Sequence, residues 1–507
     1  MNKTLKGRRF VVSGFELEQQ EHRGIAVFTK GLLRALKEAG AEIWLLTEFE
    51  PSVNDIARAR LPKAVQERIT TSRILDRLNS GEESEDELSR INQLIKRLPI
   101  LKEVLKLFHT LKRQKKEITS YFLPRERVRS SQLKLIPSLE LTRSPYERCE
   151  RLSYLRDIDG LICARNCFLD SFSLAKRKRT QQLVIDLQGF DGLITTSPLN
   201  IKPVNTNLFA QTVHDIIPLD YKRTRDHLPS FTRRLQAAGK ARMIFVSEDA
   251  KRNYELSFSQ GFSKEHNAQC VVTQPPSLHF PGDCLDWEAQ VPSLQITSSD
   301  HKRHTINPFS FFLFNSSVVP HKNLLFALKA FMESGLEHKD IHFCITGKLQ
   351  DDEYSKSVEA VAKNHKGVIF TGYVNEATKR QLYLNALGLL SPSLVEGFGI
   401  PVLDAACLGL NTIASPLASH REIQAMNDFE NHVLLCSTLT TSDWASAMRL
   451  IALKHEQKVC TQTQDRQSTT LTQLRSDRIQ RYRRYQTLID KAFGSSVCEI
   501  LTSDKIN

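Results

Sequence analysis

The 507-residue chain lacks any apolar run approaching the roughly 18–20 residues of a membrane span, which excludes an integral helical membrane protein. Its first residues, MNKTLKGRRFVVSGFELEQQ, carry basic side chains but no apolar signal core, so a cytoplasmic location is expected. The ten cysteines are scattered without a C-x-x-C pair. They read as small core residues in a reducing compartment, not as a disulfide or zinc framework. No zinc-finger spacing and no aromatic-basic ribonucleoprotein signature appears, so nucleic acid is not expected as a partner. The formal net charge of +13 therefore points to other anions, such as phosphorylated substrates or an anionic membrane face.

What is present is strand-helix alternation. Arg8 to Gly14 is a short apolar strand. A helix pattern follows Gly24, with Phe28, Leu32, Leu33 and Leu36 on one face and Gly40 as the stop, and Glu42 to Thr47 is the next strand. Such a unit is Rossmann-like. Residues from about 50 to 155 break the rhythm and read as a helical insertion. Within it the acidic cluster GEESEDE at 81–87 precedes a basic amphipathic stretch from Leu94 to Lys116, where eight Lys or Arg face one Glu. That stretch fits a helix packed on its own domain, or one lying on an anionic membrane surface.

Alternation returns with Gly160 to Cys163, Gln182 to Asp186 and Gly192 to Thr195. Phe209 to Val213 then ends in His214 and Asp215. Ligands bind at the carboxyl ends of strands in open α/β sheets, though a His-Asp pair there is as readily structural. Residues 278–307 are polar and punctuated by proline, and read as an interdomain linker. A second α/β unit follows, with strands at Phe309 to Phe314, Ile341 to Gly347 and Val368 to Thr371. Residues 469–493 form a basic helical stretch containing Tyr482 and Tyr485.

The most informative segment is SPSLVEGFGIPVLDAACLGLNTIASPLASHREI, Ser391 to Ile423. Two glycines and a proline at a strand-to-helix junction suit a backbone that approaches a ligand closely. Proline in the first helical turn gives up an amide that is orphaned anyway, and the remaining N–H groups favour an anion. Glu396 stands before the loop and Asp404 one turn inside the helix, where carboxylates can accept from sugar hydroxyls. The spacing alone equally fits a buried Gly-Pro turn with two solvated acids.

This segment resembles the E-x7-E motif of retaining glycosyltransferases of family 4, whose members read PS-x-x-EGFG-x-P-x-x-EA and have the two-domain GT-B fold. Glu396 matches the first motif acid, and Asp404 stands where Glu is usual. RGIAVFTKGLLRALKEAG is similar to the family's glycine loop and first helix, with Gly24 as the matching glycine. TVHDIIPLDY is similar to its HD-x-x-P segment, and NSSVVPHKNLLFALKAF to its G-x-x-x-PRKN loop. In the last, Lys322 matches the lysine that meets the donor phosphates, Asn323 is the expected helix cap, His321 replaces Arg, and Ser316 and Ser317 replace Gly and Arg or Thr. Gly372-Tyr373-Val374 is similar to the loop that holds the base.

The resemblance implies two facing Rossmann-like domains, with an acceptor-side domain over 1–285, a donor domain over 308–468, and a helix over 469–507 returning to the first domain. It implies a retaining transferase that moves a sugar from a nucleotide-sugar donor to a glycan or lipid-linked acceptor, without metal or other cofactor, in cell-surface polysaccharide synthesis. His214, Glu396 and Lys322 would be catalytic. Gly24, Ser317, His321, Lys348, Tyr373, Val374, Phe398, Gly399, Ile400 and Asp404 would bind the donor. A GT-B nucleotide-sugar epimerase and a non-catalytic scaffold derived from a transferase are the rival readings.

Overall fold

The computed structural model describes residues 4–19, 22, 24–49, 61–80, 122–141, 149–177, 181–221, 226–258, 268–280, 294–299, 302–459 and 464–503. The basic stretch 94–116 lies outside them.

The N-terminal sheet is built from β1 (Arg9–Ser13), β2 (Glu42–Thr47), β4 (Lys134–Pro137), β5 (Gly160–Cys163), β7 (Gly192–Thr195), β9 (Leu208–Val213), β10 (Arg242–Phe245) and β11 (Gln269–Val271). Its order is β11-β10-β9-β7-β1-β2-β5-β4. The pairings are parallel, with Phe10 beside Ile43 in the β1–β2 register, until β4 closes the edge antiparallel to β5. The C-terminal sheet comprises β14 (Phe311–Phe314), β15 (His342–Ile345), β16 (Val368–Phe370), β17 (Gly388–Ser391), β18 (Asn411–Ala414) and β19 (Val433–Leu435). Its order is β16-β15-β14-β17-β18-β19, and every pairing is parallel. Helices cover both faces of such sheets, so central strands read as unbroken apolar runs; all four residues of β14, FFLF, are buried. These are two facing Rossmann-like domains, the GT-B arrangement.

The helix Gly24–Glu38 follows β1 and buries Phe28, Leu32, Leu33 and Leu36, as its apolar spacing predicts. The long C-terminal helix Gln464–Thr502 packs on this helix and also on Ile400–Leu408 of the other domain. One apolar cluster therefore runs through both halves, joining Leu32 and Leu36 to Val402, Leu403, Ile479 and Phe493. Phe493 meets Phe28 edge-on at 5.4 Å, and Arg34 pairs with Asp490 at 3.5 Å.

Several expectations are corrected. The strand at Gln182 to Asp186 forms as β6 (Leu183–Asp186), but it leaves the main sheet and pairs with β3 (Arg127–Val128) and β8 (Ile201–Val204). The insertion is consequently not only helical: a helix at Lys63–Ser80 is followed by β3 and β4. The punctuated linker contains an antiparallel hairpin, β12 (Leu294–Thr297) with β13 (Arg303–Ile306), whose inward Leu294, Ile296 and Ile306 are buried. Asn323 occupies the cap position of the helix Leu324–Ser334 in a left-handed conformation (φ 55°), and its side chain makes no cap bond.

The C-terminal helix is tied down by buried arginines. Arg478 donates from Nη1 to the carbonyls of Leu384 (2.7 Å) and Ala386 (3.0 Å) and stacks over Phe309 at 4.8 Å. Removing it orphans two carbonyls at the end of the helix Glu376–Asn385. Arg478→Ala is therefore expected to lower the unfolding free energy by about 2–3 kcal/mol, read from urea denaturation of the full chain.

Candidate active site

The carboxyl ends of β9, β14, β15 and β17 converge on a cleft of about 930 Å³ between the domains. Every candidate residue except Asp404 lines it: Gly24 and His214 from the N-terminal side; Ser317, His321, Lys322, Lys348, Tyr373 and Val374 from the donor-side loops; and Glu396, Phe398, Gly399 and Ile400 from the glycine loop.

The loop geometry explains its glycines. Gly399 has φ 106°, a left-handed value that side chains resist, and an added Cβ would lie 2.8 Å from His420 Cδ2. A Cβ on Gly397 would lie 2.3 Å from the His214 carbonyl oxygen of the opposite domain. The helix Ile400–Leu408 begins with no side-chain cap; Pro401 carries no N–H, Val402 and Leu403 donate to the Gly399 carbonyl at 2.9 and 3.1 Å, and the positive end of the helix faces the cleft at Ile400.

The charged centre is a close pair. Lys322 Nζ lies 2.6 Å from Glu396 Oε1, which also accepts from Ser393 Oγ at 2.7 Å. Their side chains are 16% and 11% exposed. Burial alone would raise the Glu396 carboxyl, but Lys322, His420 and the bonds from Lys322 and Ser393 hold it below its ordinary value. Across the interface, His214 Nε2 lies 2.9 Å from the Thr196 carbonyl. A carbonyl only accepts, so Nε2 carries the proton and Nδ1 is the acceptor. Burial pushes this imidazole down to about 4, and it is neutral at pH 7. Phe28 packs edge-on against it at 4.9 Å. Burial likewise lowers His321 to about 4, reinforced by Lys322, so the residue replacing the family's Arg brings no positive charge at neutral pH.

Asp404 is the correction. It is fully buried with both oxygens engaged: Oδ1 accepts from Ser277 N–H (2.7 Å) and the Tyr482 hydroxyl (2.8 Å), and Oδ2 accepts from Ser277 Oγ. Ser277 belongs to the segment leaving the N-terminal domain and Tyr482 to the C-terminal helix. The acid expected at the ribose thus ties three elements together from behind the cleft wall. Ser277 and Lys379 line the cleft in its place, with Lys379 Nζ 2.9 Å from Ser277 Oγ and 3.6 Å from Glu376 Oε2.

Sequence reasoning missed Lys379 and Glu376, which line the cleft from the helix Glu376–Asn385. It noted Asp215 only as the neighbour of His214. Asp215 lines the cleft near Lys322 and Glu396, and burial pushes it up to about 6. It also missed Glu16, which lines the N-terminal side and is pushed up to about 7 by burial. His420 beneath Gly399 was not singled out either. Among the described residues no group of three or more His, Cys, Asp or Glu is placed to hold a metal ion, and no helix is long and apolar enough to cross a membrane.

Chemically, the arrangement offers three lysines, Lys322, Lys348 and Lys379, a helix N-terminus without a side-chain cap, a carboxylate held ionised and a neutral histidine around one cleft. Residues 297–465 match the family described as Glycosyl transferases group 1. No curated protein sequence matches the chain. Among solved structures it is similar to sucrose-phosphate synthase from Thermosynechococcus elongatus, at 12% identity over 96% of this chain and 100% of that one, with a TM-score of 0.49. It is similar to a glycosyltransferase from Rickettsia africae, at 13% identity over 98% and 99% of the two chains, with a TM-score of 0.44. It is also similar to a TarM mutant from S. aureus, at 15% identity and a TM-score of 0.40; that match takes in 62% of this chain and 55% of the TarM chain.

The buried position of Asp404 generates a prediction. Asp404→Asn keeps the volume but replaces one accepting oxygen with an NH2 donor that faces groups already donating. It should lower the thermal midpoint of the chain, with a cost of about 1–3 kcal/mol for the mismatched buried groups. If the chain binds a nucleoside diphosphate, its affinity per folded molecule should be unchanged, as measured by calorimetry. Weaker binding at unchanged stability would instead place the carboxylate at the ribose.

Proposed function

We propose that this protein is a retaining glycosyltransferase that takes a sugar from a nucleoside-diphosphate donor and passes it to a glycan or lipid-linked acceptor in the cytoplasm. The observation that carries the reading is the Lys322–Glu396 pair at the mouth of the uncapped glycine-loop helix, set against neutral His214 across the cleft. The group 1 description of residues 297–465 supports it.

Breaking the bond between the anomeric carbon and the phosphate develops negative charge on the leaving diphosphate. Lys322 and the positive end of the helix Ile400–Leu408 supply fixed positive potential where that charge appears. Preorganised donors of this kind are usually the largest catalytic contribution. They do the work that a divalent metal does elsewhere, so the reaction needs none. Glu396 stays ionised and accepts from hydroxyls of the transferred sugar once Lys322 turns to the phosphates. His214, neutral with Nε2–H fixed on Thr196, offers Nδ1 as an acceptor on the opposite face. Retention is the outcome implied by the likeness of Ser391 to Ile423 to the E-x7-E motif of retaining enzymes.

A panel of nucleotide sugars, with and without candidate acceptors, tests this. Release of nucleoside diphosphate that requires acceptor and survives chelation identifies the transferase; an isomerised donor identifies an epimerase, and inertness a scaffold. Within the active reaction, Glu396→Ala should cut turnover about 10- to 100-fold, the worth of one charge-assisted hydrogen bond in a closed site. Its affinity for nucleoside diphosphate should hold. Lys322→Ala should instead weaken nucleoside-diphosphate binding. Undiminished turnover in the Glu396 variant would remove that residue from the mechanism.

A further inference from the structure

The helix Glu248–Phe258, which follows β10 in the N-terminal domain, finds its N-terminal partners in two places. Its own Ser247 accepts from Ala250 N–H through Oγ at 3.0 Å. The first two amides are met from the other domain: Glu422 Oε2 accepts from Glu248 N–H at 3.0 Å, and Oε1 from Asp249 N–H at 2.9 Å. Glu422 lies in the helix Ala418–Gln424 of the donor domain. Ser247 also reaches across, donating from the same Oγ to the Gly397 carbonyl at 2.6 Å. Its hydroxyl thus caps its own helix and holds the donor loop of the opposite domain.

We infer that Ser247 and Glu422 form an interdomain latch that positions the two halves of the active site against each other. Neither residue lines the cleft. Gly397 is the residue after Glu396, and its α-carbon abuts the His214 carbonyl so closely that a Cβ would fall 2.3 Å away. Fixing the Gly397 carbonyl therefore fixes Glu396 and Lys322 relative to His214 and Asp215. A carboxylate facing helix amides is a charge-assisted acceptor in the favourable field of the helix N-terminus. The contact is also easily released. When the domains part, water replaces each partner, and Glu422 escapes the Glu248 and Asp249 carboxylates that crowd it. A latch of this kind holds a closed cleft without locking it.

The closure part of this inference stands on the structure alone; only its rate readout rests on the glycosyltransferase reading. The test compares full-length wild type with Ser247→Ala, Ser247→Thr, Glu422→Ala and Glu422→Gln by small-angle scattering, thermal melting and turnover. Both Ala variants should melt cooperatively, show a larger radius of gyration, and lose turnover at saturating donor, Ser247→Ala by roughly 2- to 10-fold for a neutral hydrogen bond and Glu422→Ala by about tenfold or more for a charge-assisted one. The donor KM should change little. Ser247→Thr, which keeps the hydroxyl, should restore both radius and rate, and Glu422→Gln should fall between. Ala variants with wild-type radius overturn the latch, whether their rate is kept or lost. Should Glu422→Ala fail to fold, the Ser247 Ala–Thr pair decides. Should the wild type transfer no sugar, radius alone decides, and the failure belongs to the proposed activity.

Discussion

No side chain can stand at position 397. The α-carbon of Gly397 faces the carbonyl of His214 from the other domain at a distance that leaves no room for a methyl group. Everything functional in the cleft depends on that approach. Glu396 precedes the contact, Phe398 and Gly399 follow it, and His214 with Asp215 forms its other side. The candidate site is therefore a property of the interface, lined by residues of both domains. Gly24 repeats the pattern more gently, since a Cβ there would lie 3.1 Å from Ile400 Cδ1. Small residues on both sides of the cleft let the two sheets present their strand ends to a shared space.

The electrostatics of the closed cleft follow from burial. Two ionisable groups as hidden as Lys322 and Glu396 are costly unless each compensates the other, and at 2.6 Å they do. The histidines take the other course: His214, His321 and His420 are all pushed toward neutrality, first of all by burial. Lys322 is the cleft lysine that sits against Glu396, and in the proposed reaction the donor diphosphate claims it while the carboxylate it leaves faces the sugar. An ion pair that exchanges partners avoids leaving either charge bare at any stage. That is a sufficient physical reason for the two residues to be adjacent before any ligand binds.

Much of this was legible in the sequence, for reasons that differ between elements. The Gly397-Phe398-Gly399-Ile400-Pro401 run could be read because each glycine answers a local demand, a left-handed φ or a missing Cβ. The central strands could be read because burial on both faces writes continuous apolar runs such as Phe311 to Phe314. What failed was tertiary assignment. Leu183 to Asp186 has the letters of a sheet strand, and nothing local says which sheet it joins. The hairpin of Leu294–Thr297 and Arg303–Ile306 was hidden among polar and proline-rich neighbours, although Leu294 and Ile296 alternate with outward residues as a half-buried strand must. The role of Asp404 was beyond the local pattern altogether. Its partners lie 127 and 78 residues away, at Ser277 and Tyr482, and a motif position carries no information about them.

Asp404 also shows how one methylene can redirect a conserved-looking position. An aspartate keeps its carboxylate close to the helix axis. From there it reaches the Ser277 amide and hydroxyl on one side and the Tyr482 hydroxyl on the other. Tyr482 in turn accepts from Leu278 N–H at 2.8 Å, and Gln486 donates to the Leu278 carbonyl, so the segment leaving the N-terminal domain is strapped to the C-terminal helix. A longer acid at 404 would require Ser277 and Tyr482 to shift, because both carboxylate oxygens are already met at close range. Here the shorter side chain fixes Ser277, Ser277 accepts from Lys379, and Lys379 lies between Ser277 and Glu376. The interdomain strut therefore ends on the cleft wall, and a molecule entering that end meets Lys379 in a position that Asp404 has set.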